Sequence, residues 1–207
     1  MKLNAQQRQN AQQLISAIDF IGQKDWCPAT GGNFSIRLDD QHRLVTQSGR
    51  DKRAITMADF MVINQATQAI NAAQTPSAEA ALHNALYQLD PSIQCVLHTH
   101  SVNSTVLSRS IKTEQLTLQG YEMQKALSGN SSHEPSIQIA IFDNTQDIDA
   151  LAEQVKSQWQ KISQPGLLVR GHGLYTWGTS VAQAKRHLEG LEFLFACYWQ
   201  EMLLNQP

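Results

Sequence analysis

Leu14, Ile15, Ile18 and Ile21 recur at helical spacing on a Gln-rich background, so residues 3–23 read as an amphipathic helix that packs one face on a domain. The run Trp26-Cys27-Pro28-Ala29-Thr30-Gly31-Gly32-Asn33 breaks that period and predicts a loop. Alternation then sets in, and residues 34–38 and 43–47 read as the strands of a hairpin turned at Asp39-Asp40. Ser48-Gly49-Arg50-Asp51-Lys52 is a second loop. Thr56-Met57-Ala58-Asp59 looks like a helix start with Asp59 as capping partner, followed by a short helix or turn and then edge strands. Ser77, in Pro76-Ser77-Ala78-Glu79, caps a helix that runs to Leu89 and is stopped by Asp90-Pro91; a strand over 93–100 follows directly.

Beyond Asn103 the same reading predicts a helix to about Arg109, a strand near 114–118, a short helix over 121–127 and an apolar strand at 136–142. Ile148, Leu151, Ala152, Val155, Trp159 and Ile162 form one helical stripe. Leu167-Leu168-Val169 reads as a buried strand that pairs with Leu174-Tyr175-Thr176-Trp177 across Gly171-His172-Gly173, and Leu188, Leu191, Phe195, Tyr198 and Met202 line a final helix. The alternation is α/β in character, without internal repeat, low-complexity tract or linker. A length of 207 residues fits one domain, 1–207, with a single core.

Composition narrows the function classes. Hydrophobic content of 42%, charged content of 16% and a net charge of −2 leave no electrostatic bias toward nucleic acid or acidic membranes. No run approaches the roughly 20 apolar residues needed to span a bilayer, and the first residues lack the apolar region of a signal peptide, so the expected location is the cytoplasm. Cys27, Cys95 and Cys197 are too scattered for a disulfide framework or a CxxC pair and read as reduced thiols.

Against this background the stretch His98-Thr99-His100 stands out. If 95–100 is a strand, alternate side chains share a face, so His98 and His100 can hold one ion while Thr99 points the other way. His172 would supply a third ligand, its flanking glycines permitting close backbone approach and unusual dihedrals. Three nitrogen ligands with an open position describe a catalytic cation site. Such ligands favour zinc, although manganese, iron or cobalt could occupy the same set. His42, His83, His133 and His187 have no partner at matching spacing and read as structural or exposed.

Gly31-Gly32-Asn33 and Ser48–Lys52 each present backbone N–H groups, and Ser77 sits at a helix N-terminus; together with Lys52 they could hold a phosphate monoester. Glu79 and Glu122 are the candidate acid/base groups, because a polarised carbonyl still needs proton transfer beside it. Glu79 also has an ordinary helix-dipole explanation, and composition does not choose between the two.

Taken in order, Pro28–Ser35, Thr46-Gln47-Ser48-Gly49, Pro76-Ser77-Ala78-Glu79, His98-Thr99-His100-Ser101 and Gly171-His172-Gly173 resemble the class II aldolase/adducin family over nearly the whole chain. Within it, Trp26–Ser35, Gly49–Lys52 and Gly120-Tyr121-Glu122-Met123-Gln124-Lys125 are most similar to its sugar-phosphate dehydratases. The resemblance implies a three-layer αβα domain around a mostly antiparallel sheet, one zinc ion per subunit on His98, His100 and His172, and a homotetramer with active sites near subunit boundaries. It further implies dehydration of a methylthio-substituted ketopentose phosphate, with Glu122 as acid/base, Glu79 in the position of the aldolases' catalytic glutamate, and phosphate against Gly32, Asn33, Ser48, Gly49, Lys52 and Ser77. Those dehydratases commonly carry Ser where this chain has Gly31, so only backbone amides remain there. The rivals are a fuculose-phosphate-type aldolase or ribulose-phosphate 4-epimerase on the same scaffold, and a non-catalytic adducin-like interaction domain, against which the intact histidines argue.

Overall fold

Asn4 starts the first helix with a reciprocal cap: its Oδ1 accepts from the Gln7 amide, and the Gln7 side chain accepts from the Asn4 amide, both at 2.9 Å. In the computed structural model, which describes residues 3–205, this helix, α1, runs Ala5–Gln23 and buries Leu14, Ile18 and Ile21. The predicted hairpin follows as β1 (Asn33–Arg37) and β2 (His42–Thr46). Met57–Asp59 forms only one 3-10 turn, with Asp59 capping it as expected, and then β3 (Phe60–Asn64).

The second helix, α2 (Ala80–Leu89), begins later than the expected cap at Ser77. Its cap is Glu79, whose backbone is already helical, while Ser77 receives only a long 3.4 Å bond from the Glu79 amide. The remaining elements are β4 (Cys95–Thr99), α3 (Val102–Ser110), β5 (Gln115–Leu118), a 3-10 segment Glu122–Ala126, β6 (Ile137–Phe142), α4 (Ile148–Gln158), β7 (Gly166–Val169), β8 (Gly173–Gly178) and α5 (Val181–Leu204). The stripe that ends in Trp159 and Ile162 outruns α4, which tightens into a 3-10 turn at Trp159–Lys161; both residues still pack on the same core.

The strands form one eight-stranded sheet in the order β3-β2-β1-β4-β8-β7-β6-β5, antiparallel except for the β6–β7 pair. Helices cover both faces, as an αβα sandwich requires. α1 and α5 pack Leu14, Ile18, Leu188, Leu191 and Phe195 on one face, with Ile36, Leu97 and Leu174 from the sheet. On the other, α2 and α4 contribute Leu82, Leu86, Leu151 and Val155, which meet Val96, Leu167 and Trp177. β4 and β8, at the centre, are buried along their whole length. Among the described residues no helix is long and apolar enough to cross a membrane.

One seam in this apolar interior is polar. Asn33, Ser35 and Arg37 share a face of β1 at period two, and Glu79, His83 and Tyr87 share a face of α2 at period four. They match rung by rung. Asn33 Nδ2 donates to Glu79 Oε2, Ser35 Oγ lies 2.7 Å from His83 Nδ1 and 2.8 Å from the Tyr87 hydroxyl, and Arg37 donates to the Tyr87 carbonyl at 2.7 Å. A slip of α2 along β1 would orphan all three rungs, so the ladder fixes where Glu79 stands.

His83 in this ladder is fully enclosed, and burial, with the nearby His98, pushes its imidazole down to about 3 from the ordinary 6.5. The unfolded chain therefore binds a proton at His83 that the fold refuses. The stability from keeping this ring neutral is fully present above pH 6.5 and is lost as pH falls toward 3. Metal-free His83→Gln should show a shallower acid decline than the parent, the difference approaching ~1.4 kcal/mol per pH unit below pH 6. Urea unfolding of both proteins from pH 7 to pH 4 reads it; parallel curves would refute the assignment.

Candidate metal centre

The end of β4 carries His98 and His100, and the β7–β8 turn carries His172 toward them. His98 lies on β4 between Asn33 of β1 and Tyr175 of β8 in the strand register. Its ring stacks on Tyr175, with centroids 3.8 Å apart and planes within 14°. His98 Nδ1 donates to the Leu174 carbonyl at 3.0 Å, which fixes the tautomer and leaves Nε2 as a free lone pair. His100 lies one residue past the strand, tethered by its amide to the Trp26 carbonyl at 2.8 Å.

The glycines that bracket His172 serve two different ends. Gly171 takes a positive φ of 68°, which an L side chain resists. Gly173 lies against β4 so closely that an added Cβ would be 1.9 Å from the Thr99 carbonyl oxygen. From α3, Ser108 Oγ accepts from the Gly171 amide at 2.9 Å and Thr105 Oγ1 donates to the His172 carbonyl at 3.0 Å, so one helix holds the turn at two successive residues.

The three Nε2 atoms converge. His98–His100 is 2.7 Å, His100–His172 is 3.1 Å and His98–His172 is 3.3 Å, and Glu79 Oε1 stands 2.8 Å from His172 Nε2 and 3.5 Å from His98 Nε2. These four donors fall within 4.8 Å of one another. Burial pushes the His100 imidazole down to about 3 and lowers His98 as well, the facing rings adding to the effect on His100. Burial would raise the Glu79 carboxyl, but the imidazoles of His172 and His98 outweigh it and hold it well below the usual carboxylate range. With Nδ1 committed to Leu174, His98 aims an Nε2 lone pair at the point where the other two Nε2 atoms converge, and ring nitrogens this close repel unless a cation or a proton lies between them. Ligands of a tetrahedral zinc, at roughly 2.0–2.1 Å from the ion, stand about 3.3 Å apart, close to the spacings here. The donor set fits such a cation.

Ser48, Ser77, Glu79, His100 and His172 line one cavity of about 640 Å³, to which Asn144 and Thr145 also contribute. The bridge between Gln47 and Pro76 brings the Ser48 loop beside Ser77. The other expected anion residues lie outside its lining. Gly32 is a backbone crossing at φ 78°, where a Cβ would meet the His98 carbonyl at 2.6 Å, and Asn33 is committed to Glu79. Gly49 has open space around it and φ 71°. Lys52 is 2% exposed and spends its ammonium on the Thr30 and Arg50 carbonyls at 2.9 and 2.8 Å, which ties the two loops together. The absent side chain at Gly31 leaves room for His100, whose Nδ1 would stand 2.7 Å from a Cβ there.

Glu79 as a possible fourth ligand escaped sequence reasoning, since neither strand nor helix period links it to the histidines. Glu122 is not among the cluster. Its carboxylate is exposed, paired with Lys125 at 2.6 Å and His133 at 3.3 Å, and it borders a different groove of about 1050 Å³ between α1, α5 and the 120–126 segment. His133 is thus Glu122's partner, and His187 is buried with Nδ1 donating to the Trp177 carbonyl at 2.7 Å.

Residues 12–199 match the model of the class II aldolase and adducin N-terminal domain family. The methylthioribulose-1-phosphate dehydratase of Serratia proteamaculans is 55% identical over 200 residues, 96% of this chain and 98% of that one. The enzyme of the same name from Yersinia enterocolitica is 55% identical over 93% of this chain and 92% of its own. Among solved structures, L-fuculose-1-phosphate aldolase from Thermus thermophilus superposes with a TM-score of 0.75 at 19% identity, covering 95% of this chain and 96% of that one. At that identity the likeness speaks for the fold.

Two substitutions separate cation binding from scaffold. With zinc as the probe cation, His172→Ala should raise the Kd in a chelator competition more than about 100-fold, while the fold persists. Gly173→Ala should instead cost on the order of 3 kcal/mol in urea unfolding, because a backbone carbonyl cannot yield as a flexible side chain would. A stable, zinc-binding Gly173→Ala protein would contradict the close approach of β4 and β8.

Proposed function

The chain belongs to the class II aldolase and adducin family, and from that premise we propose that it dehydrates 5-methylthioribulose 1-phosphate to 2,3-diketo-5-methylthiopentyl 1-phosphate. It is an enzyme of the lyase class. The observation that carries this reading is the convergence of His98, His100 and His172 at the edge of a cavity that His100 and His172 line with Ser48 and Ser77, in a chain so like named dehydratases. The cation assigned to these histidines is zinc, which when bound supplies Lewis acidity toward carbonyl and hydroxyl oxygens.

The reaction needs three services from the protein. The C3–H and C4–O bonds of the substrate break with loss of water, and the resulting enol at C3 ketonises by taking a proton at C4. Ser48 and Ser77 orient the phosphate, with Gly49 as a neighbouring amide and Gly32, Asn33 and Lys52 as the braced floor behind them. Glu79 stays ionised beside the histidines, suited to hold the site's charge balance or to take the C3 proton. The C4 hydroxyl needs an acid on its far side, and that role is assigned to Glu122.

Since Glu122 borders another groove, it serves a site only if a neighbouring copy presents it. Half-exposed Phe193, with Met123 beside Glu122, makes that groove a surface suited to cover by a second chain. A cytoplasmic homotetramer with sites between subunits is the assembly assigned. The aldolase reading draws on Glu79, which stands in the cluster where a carboxylate could serve cleavage of a carbon–carbon bond.

Incubating the zinc-loaded protein with 5-methylthioribulose 1-phosphate in deuterated water should yield the diketone phosphate carrying deuterium at C4, read by proton NMR. Dihydroxyacetone phosphate and an aldehyde would establish retro-aldol cleavage instead. Glu122→Gln should lower kcat by about 100-fold or more with zinc retained. Coexpressing inactive Glu122→Gln and His172→Ala chains should restore about a quarter of the sites if each site draws on two copies. No recovery in verified mixed oligomers would put the acid elsewhere.

A further inference from the structure

Thr99 alternates with His98 and His100 and so faces the opposite side of the sheet, toward α5. There it meets a buried carboxyl that the proposed chemistry never touches. Glu192 is 2% exposed; Ser101 Oγ donates to its Oε2 at 2.7 Å and Thr99 Oγ1 to its Oε1 at 3.4 Å. No cation lies within ion-pair reach of Glu192 among the described residues. Burial raises the carboxyl to about 7, the two hydroxyls pulling the other way. An apolar side chain on this face of α5, among Leu188, Leu191 and Phe195, would escape that cost.

Both bonds end on the residues that alternate with the ligands. Ser101 does more, for its hydroxyl also caps α3, accepting from the Ser104 amide at 3.1 Å. α3 in turn holds the His172 turn through Thr105 and Ser108. One carboxyl therefore reaches both ligand-bearing segments: β4 directly, and the β7–β8 turn through the helix that Ser101 caps. We propose that Glu192 is a positioning residue of the metal centre, clamping Thr99 and Ser101 from the rear of the sheet so that His98, His100 and His172 keep the spacing a cation needs. This rests on the reading of the histidines as cation ligands.

The test measures the cation, not turnover: zinc Kd by chelator competition, and the d–d absorption of the cobalt-substituted protein, for the parent, Glu192→Gln, Glu192→Met, Ser101→Ala and the Met/Ala double variant. Glutamine can accept from Ser101 and donate to Thr99, so Glu192→Gln should keep zinc affinity within about threefold with the cobalt band unmoved, whereas Glu192→Met and Ser101→Ala should each weaken zinc about tenfold and shift the band. The double variant should bind no more weakly than the weaker-binding of the two single variants, since Glu192 reaches α3 only through Ser101. Parent-like affinity and spectrum in folded Glu192→Met, even with a lowered Tm, would make the carboxyl merely structural and overturn the proposal. Should Glu192→Met not fold, Ser101→Ala decides alone: an unmoved band and affinity overturn it. A parent protein that takes up neither zinc nor cobalt would overturn the cation reading itself, and this inference with it.

Discussion

The backbones of β4 and β8 approach at Thr99 and Gly173 more closely than any side chain would permit, and the arrangement of the site follows from that crossing. It brings the end of a fully buried central strand against a tight turn, so that three imidazoles borne on segments more than seventy residues apart point at one place. Burial lowers the His98 and His100 imidazoles, and the Leu174 carbonyl sets the tautomer of His98. Remove the close approach and the turn retreats. The histidines would survive as residues and fail as a set.

What was legible in the sequence was what local periodicity encodes. Alternation put His98 and His100 on one face, and the glycine bracket of His172 foretold both a positive φ and a close crossing, which Gly171 and Gly173 divide between them. Most strands and helices fell where their patterns indicated. Ser77 misled because a good capping residue does not cap when the chain is still extended, tied through Pro76 to Gln47; the helix waits until Glu79. Lys52 read as a phosphate ligand by type, yet two backbone carbonyls claim its ammonium first. Glu79 joins the histidines and Glu122 does not, and nothing within a few residues of either could say so. Such facts belong to tertiary contacts, which periodicity does not carry.

The ladder between β1 and α2 shows how a carboxylate is delivered to such a point. Apolar packing alone tolerates a helix sliding or rotating on a sheet, because Leu82 and Leu86 would find other methyl groups to meet. Buried polar groups do not tolerate it, since each lost partner costs roughly 1–3 kcal/mol. Asn33, Ser35 and Arg37 therefore act as a ruler against which Glu79, His83 and Tyr87 are read, and Glu79 is its terminal mark.

The distribution of charge-bearing groups explains how one scaffold can serve different reactions. The three clustered histidines, the carboxylate beside them and the cavity-lining Ser48 and Ser77 all lie in one chain, on the sheet or on loops bound to it. That half of the chemistry, stabilising negative charge beside a carbonyl, is common to dehydration, aldol cleavage and epimerisation. On the proposed reading, the proton donor that tells these apart is Glu122, which is left out of the cluster. Glu122 projects, exposed, from a 3-10 segment anchored by buried Gln124 and Ala126, outside the histidine cluster. A fold that separates the invariant demand from the variable one in this way can change its product while leaving the sheet and its buried ladder untouched.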